Sequence, residues 1–313
     1  MKFADRLYQS IKRSKSVLVA GFDPVLENLP KFILEEAGKK SSNSEELVYL
    51  ALTSFYQVAL DALANSVAAI KPNIAFFEQY GIGGIRAFTS VCSMVKEKNL
   101  PIIADAKRGD IGSTATAYSA AFLGRSNIAG KKTPIFDVDA VTFNPFLGFD
   151  TLEPFLNDCS EYDKGIFVLV KTSNEGSSAI QGIKASDSGK TISEQVALHL
   201  ASLADQLMGD CGYSGVGAVV GATWPKEAAL LREIMPKNYF LIPGFGAQGG
   251  SSADVKAGFA KETNGGIGGA VFNASRALFG ELKSPSASEL VSEIKMRVAQ
   301  SNISLNDPQT DGA

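Results

Sequence analysis

Eight short apolar runs recur along the chain, separated by segments with helical spacing of their apolar residues. The runs are "SVLVAGF" (16–22), "SVAAIKP" (66–72), "PIIADAK" (101–107), "AVTFNP" (140–145), "GIFVLVK" (165–171), "GVGAVVG" (215–221), "YFLIPG" (239–244) and "GGAVFN" (268–273). Most are continuous rather than alternating, the pattern of parallel strands covered on both faces. Helical periodicity follows over 44–65, 84–99, 113–124, 149–158, 191–208, 224–235, 252–262 and 286–300. Eight strand and helix pairs in strict alternation predict an α/β chain of the (β/α)8 TIM barrel class. At 313 residues the chain exceeds the ~250 typical of one such barrel. The surplus is assigned to loops at 36–45, 127–139 and 173–190 and to the polar end "SNISLNDPQTDGA". Residues 1–300 are therefore expected to form a single barrel domain carrying the site, and 301–313 a disordered tail.

A net charge of −3, with lysine and arginine scattered along the chain, offers no basic stripe for nucleic acid or an anionic membrane. The partner expected is a small molecule. No apolar run approaches the ~18 residues that cross a bilayer, and "MKFADRLYQSIKRSK" lacks a signal-peptide core, so a cytoplasmic location is expected. Cys92, Cys159 and Cys211 are far apart and without metal-ligand spacing, which reads as buried free thiols. His199, the only histidine, falls on a helical segment. A histidine-dependent triad or a multi-histidine metal centre would lack its parts.

In such a barrel the chemistry collects at the carboxyl ends of the strands. Asp23 ends the first run, Lys71 the second, Asp105 and Lys107 the third, Asn144 the fourth and Lys171 the fifth. Strand alternation places Asp105 and Lys107 on one face and Ala106 on the other. A structural ion pair plugging the barrel end would account for Asp105 and Lys107 alone. Lys71 adds a second cation, and Asp110 a second acid. Interleaved acids hold both lysines protonated against the desolvation that lowers a buried lysine's pKa, and a cationic lysine is a proton donor. Asp110 and Thr114 come from the turn and helix start after the third strand, from where they can reach a neighbouring subunit. Near the other end, "PGFGAQGG" (243–250) follows the seventh strand and "FNASRALFG" (272–280) the eighth, the usual phosphate position in this fold. Backbone amides from Gly246 through Gly249 to Gly250 and the fork of Arg276 suit a dianion. Gly244, Gly246 and Gly249 also fit G-x-G-x-x-G, but outside an opening βαβ unit and without the expected acid, so a nicotinamide reading is rejected.

The stretch "DAKRGDIGST" (105–114) resembles the D-x-K-x-x-D-I-x-x-T signature of the orotidine 5′-phosphate decarboxylase family. The resemblance runs from "GFDP" through "KPN", the signature, "TSNEGS" and "PGFGAQGG" to "NASR", and is nearest to the longer, bacterial-type branch with its "TSNPGS"-like loop. Glu175 stands where proline is frequent. The resemblance implies a charged tetrad of Lys71, Asp105 and Lys107 from one subunit with Asp110 from its partner in a homodimer. Asp105 would face the substrate carboxylate, and Lys107 would protonate C6 as carbon dioxide leaves. Asp23 would bind ribose hydroxyls, and Ile111 and Thr114 would cross the interface with Asp110. Asn144 would line the substrate site, Ser173 would touch the pyrimidine amide, and Gln248 and Arg276 would grip the 5′-phosphate. No cofactor and no metal are expected.

Three other readings fit parts of the pattern. A sugar-phosphate enzyme of the same barrel group would share D-x-K-x-x-D but use a divalent metal, which a lysine at position 71 would repel. A Schiff-base aldolase could use Lys107 or Lys171, although flanking acids oppose the deprotonation an imine requires. A barrel that binds a nucleotide without turnover would not need the full charge set.

Overall fold

The computed structural model describes residues 1–243, 256–261 and 267–306. Gln248 and Gly246, Gly249 and Gly250 lie outside the described residues. All eight expected strands are present: β1 Leu18–Phe22, β2 Ala69–Pro72, β3 Ile103–Arg108, β4 Ala140–Phe143, β5 Gly165–Lys171, β6 Ser214–Val220, β7 Asn238–Ile242 and β8 Ala270–Ala274. The described residues fall into two compact units, 1–9 with 107–273, and 10–106 with 274–306.

In the second of these units β1 and β2 pair in parallel from Val19↔Ala69 to Phe22↔Pro72. Parallel bridges Ile70↔Ile102 and Asn73↔Asp105 join β2 to the third strand. That register sets the ends of β2 and β3 side by side. The helix Ser44–Leu63 starts at Asn43, whose side chain accepts from the Glu46 amide at 2.9 Å, and it buries Leu52, Phe55 and Tyr56. Each such side chain contributes about 1.5–3 kcal/mol by leaving water. Tyr56 stacks on Phe22 of β1 at 4.1 Å, and Phe279 closes edge-on against Phe22 at 5.5 Å. Gly84, in the helix Gly81–Glu97, lies so near the preceding turn that a Cβ would come 1.9 Å from the Phe77 carbonyl oxygen.

In the first unit β4, β5, β6, β7 and β8 pair in parallel in chain order. Every residue of β4, β6 and β7 is buried, consistent with their continuous apolar sequences. The helix Ile192–Leu203 begins with a capping box, Thr191 and Glu194 satisfying each other's backbone amides. Arg232 is buried, and its guanidinium donates to the carbonyls of Gly258, Met235, Asn238 and Gly269 at 2.8–3.0 Å while lying 3.6 Å over the Phe240 ring. Burial lowers its pKa to about 10.

Four sequence expectations are corrected. The loop assigned to 36–45 is helical over its first half, because a helix spans Lys31–Lys40 with Ile33 and Ala37 buried. The 127–139 loop contains part of a small antiparallel hairpin, Ser126–Ile128 with Lys131–Thr133. The helix expected over 252–262 does not extend to its end, since Ala260–Lys261 pairs antiparallel with Ile267–Gly268. The last helix, Ala287–Asn306, continues through the first six residues of the expected tail. Asn302 anchors it by donating to the Ser66 carbonyl at 3.0 Å and accepting from Ser16 Oγ at 2.7 Å.

Candidate active site

The unit holding β1 and β2 contains four of the expected site residues, Asp23, Lys71, Asp105 and Arg276. Lys71 Nζ donates to Asp105 Oδ2 at 2.5 Å, with side chains only 5% and 11% exposed. The parallel bridge at Asn73↔Asp105 explains the meeting, since it aligns the ends of the two strands. Burial alone would lower the Lys71 pKa, but the charges of Asp105 and then Asp23, with the Asp105 hydrogen bond, raise it above its ordinary value. Lys71 is a fixed ammonium.

Asp23, whose charge acts on Lys71, lines with Arg276 one cavity of about 310 Å³, walled by Phe55, Tyr56 and Phe279. Burial and then the Asp23 charge push the Tyr56 hydroxyl well above its usual range, so it stays neutral. Asp23 Oδ1 is buried and lacks a hydrogen-bond partner among the described residues. So does the Oγ of Ser275, a residue that lines the same cavity. Sequence reasoning passed over Ser275; its position directly before Arg276, after a strand end, was the available signal.

The other unit carries Lys107, Asp110, Ile111, Thr114, Asn144, Lys171 and Ser173. The expected alternation along β3 runs through Ala106, which is buried, and changes at Lys107, whose φ of 48° lies in the left-handed region. Strict two-residue alternation therefore does not describe this strand end. The Lys107 amide donates to Thr142 Oγ1 at 2.9 Å, and the Arg108 carbonyl accepts from the Asn144 amide at 3.1 Å. Thr142, buried on β4, is a support that sequence reasoning missed; it is the one hydroxyl in the run "AVTF". Gly109 passes against Asn144 closely enough that a Cβ would stand 2.4 Å from the Asn144 carbonyl oxygen.

Asp110 Oδ1 accepts from the Ile111 amide at 2.7 Å, and Ile111 is 61% exposed. Thr114 is exposed on the helix Gly112–Phe122. Asn144 Oδ1 accepts from the Phe146 amide at 3.1 Å, capping a short turn of 3-10 helix. Ser173 is held through its backbone: Thr223 Oγ1 donates to its carbonyl at 2.9 Å, and a Cβ on Gly221 would meet its Cα at 2.8 Å. Trp224 Nε1 donates to the neighbouring Thr172 carbonyl at 3.0 Å. Lys171 is buried with its ammonium 4.4 Å over the Trp224 ring and 3.4 Å from Ser178 Oγ.

Comparison with known proteins places the chain. Over 276 residues the chain is 41% identical to orotidine 5′-phosphate decarboxylase of Caldicellulosiruptor bescii, covering 88% of each sequence. Against the protein of the same name from Rhodopirellula baltica the identity is 45%, over 88% of this chain and 87% of the relative. The solved structure of Leishmania donovani OMP decarboxylase matches with a TM-score of 0.66 at 30% identity, over 96% of this chain and 99% of that one. Fold and relatives together define an enzyme of the (β/α)8 barrel class. Residues 50–289 match the family model described as orotidine 5′-phosphate decarboxylase / HUMPS, and the chain belongs to that family.

Proposed function

We propose that the chain converts orotidine 5′-phosphate (OMP) to uridine 5′-phosphate (UMP), the last step of de novo UMP synthesis, without metal or cofactor. The observation that carries this reading is the buried Lys71–Asp105 pair, an ammonium held in its charged form by the charges of Asp105 and Asp23. Breaking the C6–carboxylate bond leaves the electron pair on C6, where the pyrimidine ring delocalises it poorly. A preorganised cation at that carbon stabilises the developing charge. Lys107 delivers its proton to C6 as carbon dioxide departs, and water reprotonates it. Asp105 faces the substrate carboxylate and, with Asp110, completes the tetrad of Lys71, Asp105, Lys107 and Asp110.

Around this centre Asp23 takes the ribose hydroxyls, Asn144 lines the site, and Ser173 contacts the pyrimidine amide. Arg276 holds the 5′-phosphate with Gln248 and the amides of Gly246, Gly249 and Gly250. Binding energy from the phosphate, remote from C6, is available to exclude water from the reacting carbon. The working unit is a homodimer in which Asp110, Ile111 and Thr114 serve the partner's site; the exposure of Ile111 and Thr114 favours this. The strand and helix pairs act as one catalytic domain, which the helix Ala287–Asn306 carries past residue 300. No helix among the described residues is long and apolar enough to cross a membrane, and the proposed place of action is the cytoplasm.

The test is loss of orotate absorbance when purified protein meets OMP in EDTA. Turnover supports the reading. Turnover that needs added divalent metal favours a sugar-phosphate type of chemistry, and borohydride trapping of substrate on a lysine favours an aldolase.

A further inference from the structure

Asp23 and Ser275 both line the cavity that holds Arg276, and each has a buried side-chain oxygen, Asp23 Oδ1 and Ser275 Oγ, that nothing in the described protein satisfies. Buried polar atoms in folded proteins nearly always have a partner, so an exception beside a cavity is a place where bound water or a ligand group can supply one. The two atoms ask for different ligand groups. A carboxylate oxygen only accepts, so Asp23 calls for a hydroxyl donor, whereas the serine hydroxyl can donate to an anionic oxygen. A sugar phosphate carries both groups.

The position of Ser275 suits the anionic end. It directly precedes Arg276, whose exposed guanidinium lines the same cavity and brings the positive charge that a phosphate requires. The Ser275 backbone is anchored, its carbonyl accepting from the Leu278 amide at 3.1 Å and the Phe279 amide at 2.9 Å, with Leu278 buried. Arg276 has a long, exposed side chain with many rotamers. The serine has one rotatable bond before its oxygen and a fixed backbone, so it can define where a phosphate oxygen sits.

We propose that Ser275 is a further substrate-binding residue, donating its hydroxyl to an oxygen of the 5′-phosphate next to Arg276. This rests on the reading of the chain as an OMP decarboxylase. The hydroxyl discriminates the nucleotide from its nucleoside, since only the nucleotide presents an anionic oxygen at that point.

The experiment compares inhibition of OMP turnover by UMP and by uridine in wild-type protein and in Ser275→Ala, Ser275→Cys and Ser275→Thr variants of the full chain. A hydrogen bond to a charged group accounts for about tenfold to a hundredfold in affinity. Ser275→Ala is expected to raise the UMP inhibition constant by about tenfold or more and to leave that of uridine within about twofold. Ser275→Thr, which keeps the hydroxyl, is expected to stay near wild type. Ser275→Cys, close to serine in size but a weak donor, follows alanine and serves in its place if the alanine variant does not fold. An unchanged UMP constant in both hydroxyl-free variants overturns the proposal, as does equal weakening of UMP and uridine. Wild-type protein that shows no OMP turnover would instead remove the functional reading on which the proposal rests.

Discussion

Lys71 and Asp105 close a 2.5 Å ion pair between neighbouring parallel strands, almost out of contact with solvent. A pair so buried costs desolvation to form, and removing one member leaves the other charge stranded. Asp105→Ala should therefore lose about 3 kcal/mol of unfolding free energy, and about 10³-fold in turnover through loss of charge preorganisation. Urea unfolding and steady-state kinetics on the same preparation check both numbers. A variant as stable as wild type would mean that Lys71 finds another partner without cost.

The raised pKa of Lys71 has a definite consequence for stability against pH. Its folded value lies above the ordinary 10.5, so its charge contributes in full below that pH and the contribution fades as pH climbs through the folded value. Lys71→Met lacks the titrating group. The wild-type denaturant midpoint should therefore fall more steeply than the variant's above pH 10.5. Parallel curves in that range would assign the fall to other groups.

Lys107→Ala removes the proposed proton donor and leaves Lys71, Asp105 and the phosphate-binding groups in place. General acids and preorganised charges each account for about 10²–10⁴-fold in rate, so turnover should drop by about 10³-fold or more. UMP should still bind within about tenfold of wild type, because a donor that acts at C6 contributes mainly in the transition state. Near-normal turnover, measured by release of labelled carbon dioxide, would remove Lys107 from that role.

The barrel strands were legible because each is a short apolar run between polar or turn-forming residues, and burial on both faces leaves little else that such runs can do. The helix Phe3–Ser14 was not expected, although Phe3, Ala4 and Leu7 are all buried; its opening stretch was read only for the absence of a leader. The polar residues of 301–306 suggested disorder, but the hydrogen bonds of Asn302 are long-range and leave no local trace. Within the site, the approach of Lys71 to Asp105 follows from two adjacent strand ends. The backbone turn at Lys107 does not follow from alternation, which assumes that extended geometry continues. Lys171 was grouped with the charges at the strand ends, whereas its ammonium rests on the face of Trp224, a residue far along the chain.

The close passage of Gly109 by Asn144 ties the turn between Lys107 and Asp110 to β4. A Cβ there would stand 2.4 Å from a backbone oxygen, which cannot move aside as a flexible side chain could. Gly109→Ala should cost about 1–3 kcal/mol and reduce turnover by shifting that turn. Gly112→Ala is the control: its φ of +50° is strained for alanine but nothing lies within 4 Å, so about 1–2 kcal/mol is expected with smaller loss of rate. Thermal unfolding and kcat separate the two, and equal kcat losses would show that the Asn144 contact has no special part.

Sharing of sites across the proposed dimer predicts complementation between two inactive chains. Asp105→Ala chains retain Asp110, and Asp110→Ala chains retain Asp105. In a mixed dimer, one site then draws Asp105 and Asp110 from different chains and is intact, while the other lacks both. Random mixing of equal amounts makes half the dimers mixed, each with one intact site of two, so recovery should approach about a quarter of wild-type turnover. Native mass spectrometry counts the mixed dimers while the decarboxylation assay reads the rate. Mixed dimers present in that proportion with no recovered activity would confine each site to a single protomer, and the exposed Ile111 and Thr114 would then need another explanation.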